Sequence, residues 1–394
     1  MSRNWSLIFV AFIATVPGIV LRLSGTHVAA GVEAGLFGLA ILGGAFLLTW
    51  AAEVAEMDIS QGLALAFLAL VAVLPEYAVD LYFAAAAATR PDYTAYATAN
   101  MTGANRLLIG VAWPVIVVLY WLRTRRRELA LPATRAVEIV FLSMATLYSF
   151  VNPFKGTLSL VDTAVLVGLF VGYMWRMAHS EAGEPDLVGP ALALASLRTR
   201  NRRAAVIAFF VFSAIVILAS AEPFAEALVH LGRGHGIDEF LLVQWLAPLA
   251  SEAPEIVIAC ILTTKGDAQA GMGAMVSSKV NQWTLLVCTL TLVYSVALGH
   301  PGSLHLDDRQ VEEILLTATQ SLFGLAVLCN MTLSLFEAAV LFVLFASQLF
   351  FPSPTVRYGF CMVYATLGLA VLMRKRTDAL RLFRAGLLGP GARH

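Results

Sequence analysis

Glutamate follows proline at two places where acid is costly. Pro75-Glu76 lies inside LALAFLALVAVLPEYAVDLYFAAAAA, and Pro254-Glu255 inside FLLVQWLAPLASEAPEIVIACILTT. A carboxylate near the centre of a membrane helix costs on the order of 3 kcal/mol to insert unless something polar meets it there. Two of them point to an ion site. Asp80 follows Glu76 by one turn and shares its helix face, and the next apolar stretch carries Asn100, Thr102 and Asn105 with Arg106 behind them. In the second region Glu252 and Glu255 flank Pro254, and the following stretch carries Ser277, Ser278, Lys279, Asn281 and Gln282. Proline removes one helix hydrogen bond, so Pro75 and Pro254 are expected to bend or break their helices and free carbonyls for a cation. Hard cations take oxygen ligands, which carboxylate, amide and hydroxyl groups supply.

A plainer role competes at several of these positions. Asn100, Thr102, Asn281 and Ser277 could simply join helices through hydrogen bonds. Asp80 could lie near a membrane face and be solvated. Glu53, Glu56, Glu222 and Glu226 read as mouth or solvated positions, and Asp162 with Glu337 as a structural polar pair. For Glu76 and Glu255, repeated beside prolines, function is the preferred reading.

The elements that must hold these groups are membrane helices. The 394 residues are 59% hydrophobic and 13% charged, with 26 basic and 26 acidic residues, and mean hydropathy is +0.79. This composition identifies an all-α polytopic membrane protein and gives no sign of a nucleic-acid partner. Cys260, Cys288, Cys329 and Cys361 stand singly in apolar stretches and read as small core residues. The N-terminal stretch LIFVAFIATVPGIVLRL reads as a retained helix. A window of about 20 residues, the length that spans a bilayer, predicts twelve spans, near 6–24, 28–55, 62–88, 93–122, 135–151, 159–177, 204–230, 239–264, 268–298, 312–329, 332–351 and 355–373.

Glu76 and Glu255 are 179 positions apart, and that shift lays spans two to six over spans seven to eleven. Five spans is an odd number, so the second copy enters the membrane from the other side. The result is an inverted repeat of 5+5 helices with one extra helix at each end, an architecture common in alternating-access transporters. The expected parts are an extra helix in 1–27, a first repeat in 28–178, a linker in 179–203, a second repeat in 204–351, and a last helix with a basic tail in 352–394. Arg123, Arg125, Arg126, Arg127 and Arg135, then Arg198, Arg200, Arg202 and Arg203, then Arg374, Lys375, Arg376, Arg381 and Arg384 fall on one side by parity. Both termini are therefore expected in the cytoplasm, with the tail solvated or on the membrane surface.

At the Pro-Glu pairs the chain resembles the calcium/cation antiporter superfamily, which includes the sodium/calcium exchangers. That family's repeat has a hydroxyl pair, x-Pro-Glu, and then Gly-Asn-x-x-Gly-Ser-Asn-x-x-Asn in the next helix. Here the first copy reads Ala72-Val73-Leu74-Pro75-Glu76 and Ala99-Asn100-Met101-Thr102-Gly103-Ala104-Asn105. The second reads Ser251-Glu252-Ala253-Pro254-Glu255 and Gly273-Ala274-Met275-Val276-Ser277-Ser278-Lys279, with Gln282 at the last amide position. The resemblance implies ten core helices around one central site holding both glutamates. The chain departs from the pattern at Ala72 and Val73, where the hydroxyls are absent, at Glu252 in place of a hydroxyl, at Lys279 in place of an asparagine, and in about five extra residues after Glu76.

These features predict a secondary antiporter that exchanges Na+ or Ca2+ for protons across the cytoplasmic membrane. Glu76 and Glu255 bind the ion and carry protons, Glu252 and Lys279 tune the charge, and Asn100, Asn105, Ser278 and Gln282 supply neutral ligands, with Asp80 nearby. Lys279 must pair or lose its proton inside a span, and Glu252, Glu255 and Glu76 are candidate partners. An ammonium that releases its proton there would couple exchange to protons; a permanent Lys279–Glu252 pair would be structural. Alternatives are sodium/calcium exchange with Lys279 structural, and a non-transporting sensor or scaffold. No zinc-ligand His-Glu pair, serine–histidine set or phosphate loop suggests an enzyme, and no cofactor is expected beyond the transported ion. The expected partners are the bilayer and inorganic cations.

Overall fold

The computed structural model describes residues 3–58, 73–179, 187–351 and 353–388. In chain order the helices are α1 Arg3–Ser24, α2 Ala30–Ala55, α3 Leu74–Ala86, α4 Tyr93–Thr124, α5 Ala133–Lys155, α6 Leu160–Ala178 and α7 Pro190–Ala195. They continue as α8 Thr199–His235, α9 Glu239–Lys265, α10 Ala268–Leu298, α11 Asp308–Leu328, α12 Leu335–Gln348, α13 Pro354–Arg374 and α14 Arg376–Leu388. Ten are long and apolar enough to cross a membrane, and α12 is a shorter apolar helix. With α3 they fall on the twelve expected spans. Positions 62–72 of the third span, Ala72 among them, lie outside the described residues.

Contacts divide the chain into two units. One comprises Met1–Asn100 and Glu181–Ile258, the other Met101–Ser180 and Ala259–His394. In the first, the 37-residue α8 packs along α2 and α3, and α1 lies on α2. Small residues allow the close approach of α1 and α2, since a Cβ on Gly43 would come within 2.6 Å of the Ala11 carbonyl oxygen.

In the second unit α11 packs on α5 and on the added helix α13, and α6 lies on the end of α10. Two short antiparallel ladders join loops of the two repeats: β1 Glu128–Ala130 pairs with β4 Thr332–Ser334, and β2 Thr157–Leu158 with β3 Leu304–His305. Each sets a buried leucine opposite another, Leu129 with Leu333 and Leu158 with Leu304. Counting spans puts both partners of each ladder on the same membrane side, as a twelve-span alternation requires.

Two expectations need correction. Helix α9 runs unbroken from Glu239 to Lys265 through Pro248 and Pro254. Beside the prolines, Ser251 Oγ donates to the carbonyls of Ala247 and Pro248, both at 3.3 Å. Pro75 lies in the first turn of α3, where a missing N–H costs nothing. The basic tail is not fully solvated: α14 packs on α5, burying Leu382, and Arg176 Nε donates to the Gly386 carbonyl at 3.2 Å. Its apolar face gains more from that contact than from water.

Candidate ion site

In the first unit Glu76, Glu252 and Glu255 come together, each offering one carboxylate oxygen within 4.8 Å of those of the other two. Glu76 and Glu252 are buried and Glu255 is partly so. The local sequence explains the placement. Helix α3 begins at Leu74 with Pro75 in its first turn, so Glu76 sits at a helix N-terminus, where aligned peptide dipoles favour an anion. On α9, Glu252 and Glu255 are three residues apart and share a face. Three like charges at this spacing in a low-dielectric interior repel one another, which favours a cation or protons among them.

Asp80 is wholly buried, not solvated. Asn100 Nδ2 donates to its Oδ1 at 2.8 Å, while Asp80 Oδ2 and Asn100 Oδ1 have no hydrogen-bond partner among the described residues. Spacing placed Asp80 on the Glu76 face, but depth could not be read from it because the helix start was unknown.

At the far end of α3, Glu226 of α8 accepts from Tyr82, from Tyr93 Oη at 2.8 Å and from Arg90 Nη1 at 2.7 Å, and Arg90 lies over the Tyr93 ring at 3.9 Å. Glu226 is thus a bound member of a polar cap, while Glu222, paired with Arg22, is half exposed.

The amide and ammonium positions fall in the second unit. Lys279 is completely buried; its Nζ donates to the Asn105 carbonyl at 3.0 Å and to Asn105 Oδ1 at 2.9 Å, and lies 5.1 Å from the centre of the Trp283 ring. Gln282 donates to Ser278 Oγ at 3.4 Å, and Ser277 shares a hydrogen bond with Tyr173 at 2.7 Å. Both α4 and α10 widen into a π-turn just after these groups, at Leu108–Ala112 and Gln282–Leu286. Such bulges interrupt the regular hydrogen-bond ladder and recur at functional sites.

A buried charge network in the same unit was not foreseen. Arg106 pairs with Glu313, and Arg357 of α13 donates to Glu312 at 2.8 Å and lies 3.8 Å from Glu313. The available signal was the opposite charge of Glu312, Glu313 and Arg357 inside apolar stretches that must reach the bilayer. Asp162 and Glu337 are two equivalent caps in place of a pair: each closes a capping box at the start of its helix, with Ser159 and Ser334.

With this geometry in place, comparison with known proteins is informative. The family described as Sodium/calcium exchanger protein matches residues 29–178 and 205–353. No curated protein sequence matches the chain. Among solved structures it is similar to one described as the H+/Ca2+ exchanger CAX, with 43% identity over 98% of each chain and a TM-score of 0.94. It is also similar in fold to the Ca2+/H+ antiporter protein YfkE, at 15% identity over 90% of this chain and 99% of the other with a TM-score of 0.63. The sodium-calcium exchanger NCX_Mj shares the fold at 14% identity, 82% and 99% coverage and a TM-score of 0.55.

Proposed function

The chain belongs to the sodium/calcium exchanger family, and from that premise we propose that it exchanges Ca2+ for protons by alternating access. The observation that carries the reading is the cluster of Glu76, Glu252 and Glu255. Two oxygens bound to one Ca2+ at about 2.4 Å can be at most about 4.8 Å apart, and one oxygen from each of the three carboxylates lies within 4.8 Å of the others. Three acids favour a divalent over a monovalent cation by charge, and the similar H+/Ca2+ exchanger points to the same pair of substrates.

Coupling follows from competition. When Ca2+ occupies the cluster its charge replaces that of the protons, and when Ca2+ leaves, protons must return before the site can cross a low-dielectric barrier. In this reading Glu76 and Glu255 hold the ion and carry protons, and Glu252 adds the charge that makes the site divalent. Asp80 and Asn100 stand one turn further along as a reserve of polar ligands. Within the second unit Asn105 accepts from Lys279 and Gln282 donates to Ser278, and Lys279 sets the charge of its own surroundings. The arginine-rich connections support a cytoplasmic-membrane protein with both termini inside.

Purified protein in liposomes with an imposed pH gradient tests the proposal. Added Ca2+ should collapse the gradient, Na+ should not, and Glu76→Gln should abolish the response. Gradient collapse by Na+ alone would overturn the choice of Ca2+.

A further inference from the structure

The last helix is held at both ends where spans reach the membrane surface. Helix α14 begins at Arg376, directly after the span α13 ends at Arg374, and the intervening Lys375 turns inward to the Val327 carbonyl, Asn330 and Glu337. Near its other end Gly386 packs against the first turns of α5, where a Cβ would lie 2.6 Å from Val140 Cγ2 and 2.8 Å from the Ala136 carbonyl oxygen. The Gly386 carbonyl accepts from Arg176 in the last turn of α6. Trp175, the residue before Arg176, is exposed, and tryptophan at a span end marks the headgroup level. A helix pinned to the ends of α13, α5 and α6 lies along the membrane surface, not across the bilayer.

The outward face of α14 mixes two kinds of residue. Leu382 and Gly386 face the protein, whereas Leu380 and Leu387 are exposed and share the outer side of the helix with Arg376, Arg381 and Arg384, which are exposed as well. Bulk water suits the arginines and not the leucines; the hydrocarbon core suits the leucines and not the arginines. The boundary between them suits both, since leucine enters the acyl region while guanidinium meets phosphate. The one acid on this helix, Asp378, lies 3.8 Å from Arg381 and leaves the basic charge in excess. We propose that α14 is an interfacial helix that binds anionic lipid headgroups through Arg376, Arg381 and Arg384, with Leu380 and Leu387 seated in the acyl boundary. The occupant is the leaflet on the arginine-rich side of the membrane, and its headgroup charge is what the helix selects. This inference stands apart from the antiport reading.

The test uses full-length protein in detergent micelles, with thermal unfolding followed as phosphatidylglycerol or phosphatidylcholine is added. Phosphatidylglycerol should raise the wild-type midpoint by several degrees, saturably, because a ligand bound only by the folded state stabilises it. Phosphatidylcholine should give no such gain, and high salt should shrink the gain from phosphatidylglycerol. The amount of phosphatidylglycerol needed for half the gain should rise about fivefold for each arginine removed, in Arg381→Gln and Arg384→Gln singly and most in Arg376→Gln/Arg381→Gln/Arg384→Gln. The same three positions changed to lysine should respond as wild type does. Leu380→Ser/Leu387→Ser should weaken the response. Arg125→Gln/Arg126→Gln/Arg127→Gln removes equal charge from the α4–α5 connection and should cost far less. No wild-type gain, an equal gain from phosphatidylcholine, an unchanged response in the glutamine variants of α14, or an equal loss in the connection variant would overturn the proposal. The single variants decide the matter where the triple glutamine variant does not fold. Absence of Ca2+/proton exchange by wild type in liposomes would instead strike the antiport reading and leave these lipid responses intact.

Discussion

The two units bury charge in opposite ways. In the first, Glu76, Glu252 and Glu255 gather acid against acid. In the second, Arg106 and Arg357 interleave with Glu312 and Glu313, and each carboxylate meets a guanidinium. A balanced network answers its own desolvation and is finished once the chain folds. A cluster of one sign attracts a cation or protons, and a site that must load and release an ion needs that property. Buried charge alone therefore does not mark a transport site; surplus of one sign does.

Neutralising the surplus should have the largest effect. Glu76→Gln and Glu255→Gln are each expected to reduce Ca2+-driven proton flux in liposomes to background while leaving the protein folded, since removing a repelling charge relieves the resting state. A folded variant with wild-type flux would break the comparison. The balanced network should behave in reverse. Arg106→Leu or Glu313→Gln should cost about 3–5 kcal/mol of stability by stranding a buried charge, visible as a lowered unfolding midpoint. Replacing Arg106, Arg357, Glu312 and Glu313 together by apolar residues should recover much of it.

Packing and surface charge give smaller effects. Gly43→Val should cost about 1–3 kcal/mol by pressing α1 off α2, given the 2.6 Å approach to the Ala11 carbonyl, with the loss read in thermal unfolding. Outside the spans, Asp58 accepts from Arg202 Nε at 2.9 Å and from Arg203 Nε at 3.0 Å, and the Arg202 hydrogen bond holds its carboxyl below the usual range. A depressed folded value means that the contribution is present above the ordinary carboxylate range and disappears as pH falls through the folded value. Asp58→Asn should therefore cost about 0.5–1 kcal/mol near neutral pH, and the difference from wild type should vanish in strong acid. A difference that persists there would mean that Asp58 acts through packing.

Much of this was legible in the sequence, for reasons that also explain what was not. Hydropathy fixes spans because the bilayer demands about 20 apolar residues, so α1, α9, α10 and α13 fall within a few residues of their expected bounds. Repeated Pro-Glu pairs marked the acids that meet. A solvated Asp80 stayed open as the alternative because its depth depends on α3 beginning at Leu74, a start set by tertiary context. The unbroken α9 shows that tertiary context can carry a helix through two prolines. Asn105 as a partner of Lys279 was invisible, since carboxylates are the ordinary expectation for an ammonium and repeat offset alone does not show which equivalent residues touch. The network of Arg106, Glu313 and Arg357 escaped because its members are far apart in sequence and join α4, α11 and the added helix α13.

The central claim is that Ca2+ and protons compete for one set of carboxylates. Equilibrium Ca2+ titration of the purified protein in weakly buffered solution, with released protons counted at two pH values, tests it most directly. Binding should release protons, weaken as pH falls, and be lost in the variant carrying Glu76→Gln, Glu252→Gln and Glu255→Gln. Ca2+ binding without proton release, or with undiminished affinity in that triple variant, would contradict it.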